Sequence, residues 1–251
     1  MPPSPLTDPP QPVQEPRRLL WVMLLALTTG FTLSQAFRTA AAILAKPMQA
    51  EFGLSPTELG LFAATFHFAF GALQIVMGLG IDLHGVRRTV LMASPLAVIG
   101  ALLCAFAPNF SLAVLGQALI GIGCAPAFLV CTVFIAQRFP STEFTAISGM
   151  VMGISSLGML FTGTPLAWLT DHLSWRAGFG VLAVGAALAW LAIFVLVREV
   201  PTTQPAPHKP SVRKALREFA ELLTLPHTWG ILALSFVTYA SFIALRGLWL
   251  G

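Results

Sequence analysis

Charged residues are scarce in this sequence. They make up 10% of its 251 residues, whereas hydrophobic residues make up 56% and the mean hydropathy is +0.81. Soluble domains carry about 25% charged residues, so this shortage excludes a water-soluble surface for most of the chain. The composition therefore indicates an integral membrane protein, with the lipid bilayer as its first partner.

Cysteine is also rare, and the sequence patterns of catalytic and cofactor sites are missing. Cys104, Cys124 and Cys131 lie in apolar segments without a CxxC pair, which argues against a disulfide, haem or metal site. No Ser/His/Asp order, nucleotide-binding glycine loop or pair of metal-ligand histidines is present. The basic residues form no patch interleaved with aromatic residues, so nucleic acid is not an expected partner. The sequence therefore predicts no catalytic residue, no metal and no cofactor.

Six intervals without Lys, Arg, Asp or Glu locate the membrane spans. A spanning helix needs about 20 apolar residues. The interval 89–137 is long enough for two helices, and Pro108-Asn109 supplies the turn between them. We therefore predict an all-α membrane protein with spans near 19–46, 57–81, 87–107, 110–137, 145–169, 176–197 and 228–251.

The alternation of polar and apolar segments predicts four regions. They are a proline-rich, disordered cytoplasmic leader at 1–18, a six-helix bundle at 19–198, a cytoplasmic loop at 199–226 and a seventh helix at 227–251. The first helix resembles a secretory signal peptide, but its apolar character continues to Leu44, which favours a retained helix. Within the loop, apolar residues of 211–223 share one helical face. This pattern fits a helix on an anionic membrane surface or a solvated tether with partial helix.

Positive charge is distributed unevenly between the loops. Lys and Arg accumulate on the cytoplasmic side of membrane proteins. With a cytoplasmic N-terminus, ten of the fourteen Lys and Arg residues fall in inner loops and two, Lys46 and Arg176, in outer loops. The remaining two, Arg38 and Arg246, lie within spans. The sequence therefore predicts that the N-terminus and the 199–226 loop are cytoplasmic.

A glycine-rich, charged turn follows the second predicted span. It reads Gly78-Leu-Gly-Ile-Asp82-Leu-His-Gly85-Val-Arg87-Arg88. Gly85 tolerates backbone angles that other residues avoid, and Gly78 allows close helix approach. Placed between the second and third helices, this spacing resembles the G-x-x-x-D-x-x-G-x-R-[RK] signature of the major facilitator superfamily. The resemblance implies a cytoplasmic latch between the two halves of a transporter, formed by Gly78, Asp82, Gly85, Arg87 and Arg88.

Glycines in the fourth and fifth helices extend the resemblance. The segment from Gln117 through Gly121 to Gly123 is similar to the family's R-x-x-x-G-x-G, with glutamine in place of arginine. Gly149 and Gly158 have the spacing of an antiporter motif. Close helix packing is the role expected of the glycines in these two helices, namely Gly121, Gly123, Gly149, Gly153 and Gly158.

The resemblance implies a secondary transporter that works by alternating access, and we expect it in a bacterial inner membrane. Members of the family usually have twelve helices. The sequence is therefore expected to be the N-terminal half plus the seventh helix of such a protein, either as a fragment or as a natural truncation.

Arg38 lies within the first predicted span, where an arginine is costly unless it faces a cavity or a partner. It shares one helical face with Thr28, Thr32 and Gln35, at spacings of 4, 3 and 3 residues. This polar face predicts a substrate site inside the membrane. The alternative is that Arg38 snorkels to the outer headgroups.

Arg246 lies about as deep in the seventh span as Arg38 does in the first. The two halves of facilitators are related by an axis along the membrane normal, so the resemblance implies that the two arginines face one another. Two guanidinium groups can bind a carboxylate or a phosphate bidentately. The predicted substrate is therefore a small organic anion, and its candidate binding residues are Arg38, Gln35, Arg246, Tyr239 and Gln117.

His67 is the one histidine deep within a predicted span, and none of the ten acidic residues lies that deep. It is therefore the candidate for proton coupling, as in a symporter. A hydrogen-bonded packing role is the alternative for this residue. For the whole protein, the alternatives to an anion transporter are a proton-coupled drug exporter and a non-transporting membrane protein, either receptor-like or a membrane-embedded enzyme.

Overall fold

The computed structural model describes residues 16–198, 217, 221 and 224–250, except for the side chains of residue 45 and residues 242–250. The chain divides into two compact units, Met1–Pro205 and Ala206–Gly251. Most of the predicted leader 1–18 and of the amphipathic segment 211–223 lies outside the described residues. Arg217 and Glu221 are described as helical, and their side chains pair at 3.0 Å one turn apart.

The described part of both units is helical. In the first unit the helices are α1 (Arg17–Phe52), α2 (Pro56–Ala72), α3 (Gln74–Ala105), α4 (Phe110–Cys124), α5 (Ala127–Arg138), α6 (Phe144–Thr162), α7 (Thr164–His172) and α8 (Trp175–Leu196). The second unit contains α9 (Pro226–Leu250), and a short 3-10 turn, Ser141–Glu143, precedes α6. The prediction of an all-α membrane fold is confirmed over these residues.

Five helical runs of the described residues are long and apolar enough to cross a membrane. One of them, Pro56–Ala105, has 50 residues and would be about 75 Å long if straight, against a bilayer core of ~30 Å. It is broken at Gly85, where φ is 83° and ψ is 168°. The break lies between the second and third spans that the sequence predicts, and it divides the run into two segments.

The first helix is longer than the predicted span 19–46. α1 continues through Pro47 to Phe52 and ends at Gly53, which has a φ of 64° and donates its N–H to the carbonyl of Gln49. Glycine adopts this left-handed conformation without strain and commonly ends helices in this way. The glycine therefore decides the end of the helix, and the proline inside it does not.

Two of the long apolar runs contain breaks marked by glycine or proline. α4 and α5 meet at Ala125-Pro126, and α6 and α7 meet at Gly163, just before Pro165. Pro126 lacks the N–H that would continue a helix, and the carbonyl of Ala125 accepts a hydrogen bond from Gln74 Nε2 at 3.2 Å. These breaks bend the runs within the membrane without ending them.

Close helix contacts occur where a glycine faces the backbone of a neighbour. A Cβ at Gly121 would lie 2.6 Å from the carbonyl oxygen of Phe66, so this glycine lets α4 lie directly on α2. A Cβ at Gly123 or Gly158 would collide with backbone atoms of α3 or α1 respectively. These glycines therefore fix how α4 and α6 approach the rest of the first unit.

Other expected packing glycines have room around them. A Cβ at Gly149 or Gly153 would meet no atom within 4 Å, and one at Gly78 would meet Leu129 at an ordinary 3.7 Å. The described bundle shows no close helix contact at these three positions, so a packing role for them stays a prediction. The motif spacing identifies the glycines, but only the neighbouring backbone decides which of them needs to be small.

Candidate functional site

Hydroxyl groups in these helices generally bond to a backbone carbonyl one turn earlier. Thr28, Thr32, Ser94 and Thr132 do so at 2.8 to 3.1 Å. A smaller set of buried polar atoms has no hydrogen-bond partner among the described residues. We call the residues that carry them the polar cluster: Ser34, Gln35, Arg38, Gln117, Ser148 and Ser155.

Four residues of the polar cluster are deeply buried, whereas Arg38 and Ser148 are half-buried. Ser34 and Ser155 are fully buried, Gln117 is 1% exposed and Gln35 is 9% exposed. An unpaired buried polar group costs about 1–3 kcal/mol, and polar groups kept inside a membrane bundle at such a cost commonly serve function. The polar cluster is therefore the candidate binding site of this unit. Sequence reasoning missed its three serines, because serines in apolar helices usually bond to their own backbone.

Contacts between α1 and α6 bring two helices of the polar cluster together. Gly158 of α6 packs directly on the backbone of Thr32 and Ala36 of α1. Further along the same interface, the hydroxyl groups of Thr39 and Thr162 share a short hydrogen bond. Ser155 lies one turn before Gly158, so the interface places it beside the polar face of α1.

α2 contacts the residues of the polar cluster on α1 and those on α4. Gln117 lies one turn from Gly121, and that glycine packs on the backbone between Phe66 and Phe70 of α2. The guanidinium of Arg38 lies over the ring of Phe70, with 5.1 Å between Cζ and the ring centroid. Arg38 from α1 and Gln117 from α4 therefore approach the same segment of α2.

The side chain of Arg38 is directed into the protein. Its Nε is buried, and its guanidinium covers an aromatic ring of a neighbouring helix. Within the part of the chain that the structure describes, no carboxylate forms an ion pair with it. The guanidinium therefore retains a positive charge and hydrogen-bond donors that an anion can use.

The remaining predicted site residues lie elsewhere. Tyr239 lies on α9, with about half of its surface exposed at 47%. The side chain of Arg246 is outside the described residues. His67 of α2 is half-buried; its Nδ1 lies 3.0 Å from the carbonyl oxygen of Ala63, and its ring meets Phe66 edge-on. Both the packing role and the proton-coupling role of His67 remain compatible with these contacts.

We call the end of the bundle that carries Gly85 the motif end. At this end, Arg87 forms hydrogen bonds with the C-terminal end of α8. Its Nε donates to the carbonyl of Val197 at 2.6 Å and its Nη2 to the carbonyl of Phe194 at 3.0 Å. Cζ also lies 5.6 Å from the Phe194 ring centroid. Arg87 thus caps the C-terminal end of α8, where helix carbonyls lack partners and the helix dipole is negative. Asp82 and Arg88 are exposed beside this turn.

The opposite end of the bundle is held by a cluster around Glu51. This carboxylate accepts hydrogen bonds from Arg176 and from Trp175 Nε1, the latter at 2.6 Å. Arg176 Nη2 also donates to the carbonyl of Ala107 at 2.8 Å, and Arg176 Cζ lies 4.3 Å from the Trp175 ring centroid. The cluster ties the end of α1 to the start of α8 and to the turn after α3. Glu51 lies beyond the apolar run Arg17–Leu44.

Glu51→Gln will lower the thermal stability in a pH-dependent way. The hydrogen bonds from Arg176 and then Trp175 hold the pKa of Glu51 below its usual value of 4.5. A lowered carboxyl pKa contributes stability that is present above pH 4.5 and is lost as the pH falls through the lower folded-state pKa. We therefore expect a Tm decrease of roughly 2–4 °C at pH 7, because the half-exposed pair contributes about 1 kcal/mol. The difference from the parent should shrink below pH 4.5.

Scanning fluorimetry of the protein in detergent, across a pH series, measures this effect. Asp171→Asn is the matched control, since Asp171 is an exposed carboxylate that forms no ion pair among the described residues. A Tm decrease for Glu51→Gln that is equal at pH 7 and at acidic pH would contradict the role of the ionised carboxylate.

Comparisons with known proteins agree with this architecture. The family description "Major Facilitator Superfamily" matches residues 21–250. The chain is similar to the MFS-type efflux pump MFS1 of Arthroderma benhamiae, at 26% identity over 141 residues, 56% of this chain and 26% of the relative. It is also similar to the hexuronate transporter of Bacillus subtilis, at 24% identity over 179 residues, 71% of this chain and 42% of the relative.

A solved crystal structure has a similar fold. The crystal structure of a bacterial homologue of the human lysosomal transporter Spinster matches with a TM-score of 0.65 and 20% identity, covering 86% of this chain and 51% of that one. This likeness concerns the fold alone. The chain spans 26% and 42% of the two curated relatives and about half of the solved protein.

Proposed function

The chain belongs to the major facilitator superfamily, and we propose that it moves a small organic anion across the membrane as a secondary transporter. As a member of a transporter family it is not an enzyme, and the receptor-like alternative loses its support for the same reason. We propose alternating access as the mechanism, in which a site near the middle of the membrane opens to one side and then to the other.

The observation that carries the anion proposal is the environment of Arg38. Its guanidinium has a buried Nε, lies on Phe70 and has no ion-pair partner among the described residues. A positive charge in a membrane bundle is costly unless it is compensated. A bound carboxylate or phosphate would compensate it through a bidentate, charge-assisted contact.

A second arginine extends the proposal to the other half of the site. The family relation between the two halves makes α1 and α9 counterparts, and Arg246 then has the role of Arg38. Tyr239 shares the helical face of Arg246, because seven residues correspond to about two turns. We propose that Arg38, Gln35 and Gln117 contact the anion from the first unit, and Arg246 and Tyr239 from the second.

A panel of solutes tests the proposed function. The protein, produced as its gene encodes it and reconstituted in lipid nanodiscs, is titrated calorimetrically with organic anions, neutral sugars and organic cations of similar size. We expect binding of carboxylated or phosphorylated solutes only. Binding restricted to cations would refute the anion proposal and favour drug export.

We propose that the N-terminus is cytoplasmic and that the membrane is a bacterial inner membrane, as the charge asymmetry of the loops supports. Cysteines introduced at Lys46 or Asn109 should react with a membrane-impermeant maleimide from the outside, and a cysteine at Arg213 should not. The native cysteines Cys104, Cys124 and Cys131 are buried and will add little background. The reverse labelling pattern would invert the topology.

Proton-coupled drug export is the second candidate, because one of the similar proteins is named an efflux pump. For either direction of transport, we propose His67 as the proton-coupling residue, since it is the one histidine that the sequence places deep within a predicted span. Transport that drives no pH change, or that persists unchanged in a His67→Gln variant, would exclude this coupling role and with it a symport through His67.

We further propose that the motif end acts as a latch during the transport cycle. Gly78, Asp82, Gly85, Arg87 and Arg88 carry the family resemblance. Arg87 already fixes the end of α8. Changes at this turn should therefore affect the conformational cycle more than they affect substrate binding.

A further inference from the structure

The unpaired atoms of the polar cluster differ in whether they need a hydrogen-bond acceptor or a hydrogen-bond donor from a ligand. Arg38 Nε and Gln117 Nε2 are donors, and they are satisfied by any anion. The side-chain oxygens of Gln35 and Gln117 are acceptors only, and both are buried and unpaired within the described chain. The hydroxyls of Ser34 and Ser155 can serve either way. Because both amide atoms of Gln117 are unpaired, a flip of its amide group leaves this inventory unchanged.

A simple carboxylate cannot form hydrogen bonds with all of these unpaired atoms. Its two oxygens accept hydrogen bonds from Arg38 and from amide N–H groups, but they offer no donor to the two glutamine oxygens. A buried acceptor left without a donor keeps its full desolvation penalty. The ligand that pairs every group must therefore bring donors together with its negative charge.

Hydroxyl groups fit this requirement better than amines do. An ammonium group would lie beside the guanidinium of Arg38, where two positive charges repel in a medium of low dielectric constant. Among the described residues no carboxylate pairs with Arg38 or is placed to offset a second cation there. Hydroxyl groups donate to the glutamine oxygens without adding charge.

We infer that the substrate is a hydroxylated organic anion of the sugar-acid type, whose charged group pairs with Arg38 while its hydroxyls donate to Gln35 and Gln117. This inference rests on the proposed anion transport and narrows it to one substrate class. It also assigns Gln35 and Gln117 a role that Arg38 does not share: they distinguish hydroxylated anions from plain ones.

Three probes of one size separate the charge requirement from the hydroxyl requirement. D-gluconate carries a carboxylate and hydroxyls, hexanoate carries the carboxylate alone, and sorbitol carries hydroxyls alone. With the protein as its gene encodes it, in nanodiscs, we expect gluconate to bind at least about tenfold more tightly than hexanoate, since one hydrogen bond of average strength corresponds to about a factor of ten. Sorbitol should not bind.

Two variants test the assigned residues. Gln35→Leu and Gln117→Leu should each reduce the preference for gluconate over hexanoate about tenfold, because leucine removes the acceptor that only the hydroxylated anion uses and keeps the approximate volume. Gln74→Leu is the control: Gln74 is a half-buried glutamine of a neighbouring helix, and its amide is already bonded to the carbonyl of Ala125. The gluconate preference should survive in that control.

The outcomes separate this inference from the proposed function. Equal binding of gluconate and hexanoate, or a gluconate preference that survives in both glutamine variants, overturns the inference while anion transport stands. Absence of gluconate binding likewise overturns it. Binding of sorbitol without either anion overturns the inference and the proposed anion function together.

Discussion

Arg38→Lys will weaken the binding of anionic solutes by about ten- to a hundredfold, although it preserves the positive charge. The planar guanidinium of Arg38 lies on Phe70 with its Nε buried. Lysine has neither the flat face that stacks on the ring nor the two parallel N–H groups that grip a carboxylate. The remaining ammonium will contribute charge without fixing the orientation of the ligand. Calorimetric titration with the anions of the solute panel measures the loss.

A control variant and the snorkelling alternative for Arg38 each predict a definite result for the lysine substitution. Arg18→Lys is the matched control, since Arg18 is an exposed arginine near the start of the same helix, and it should bind as the parent does. If Arg38 only snorkelled to headgroups, lysine would serve almost equally well, and unchanged affinity would contradict the binding role. By the symmetry of the two halves, Arg246→Lys should repeat the loss.

The positions of the helices could be predicted from the sequence because the membrane imposes a simple rule. Charge-free intervals must coincide with spans, and a helix must satisfy its own backbone in lipid. The turn at Gly85 was predictable as well, because the pattern requires a glycine where the chain changes direction. The end of α1 was not, since the predicted span stops at residue 46, whereas the glycine cap at Gly53 ends the helix later.

The candidate site could be predicted only in part. An arginine in an apolar helix can be recognised as a candidate from the sequence alone, and so can a glutamine one turn away on the same face. Ser34 and Ser155 could not be found, because a serine in a helix normally bonds to its own backbone, and only the three-dimensional contacts reveal which ones do not. The cap of α8 by Arg87 depends on the approach of two segments 110 residues apart, which no local pattern specifies.

Gly85→Val will abolish transport while leaving most of the anion binding intact. Gly85 has φ 83° and ψ 168°, a region that essentially only glycine occupies, so a β-branched residue there costs about 1–3 kcal/mol or forces the turn to change. The turn positions Arg87 two residues later, and Arg87 holds the end of α8. The polar cluster lies on α1, α4 and α6, which do not contain this turn. The strain should therefore act on the conformational cycle.

Two measurements on the same preparation separate cycling from binding. Counterflow in proteoliposomes reports the cycle, and calorimetry with the anion that binds most tightly in the panel reports the site. Gly71→Val is the matched control, because Gly71 is helical and a Cβ there would meet no atom within 4 Å; its counterflow should stay close to that of the parent. If Gly85→Val kept normal turnover and lost binding, the turn would belong to the substrate site and the latch proposal would be wrong. If Gly71→Val failed as completely as Gly85→Val, the loss would reflect the added side chain and not the backbone conformation of Gly85.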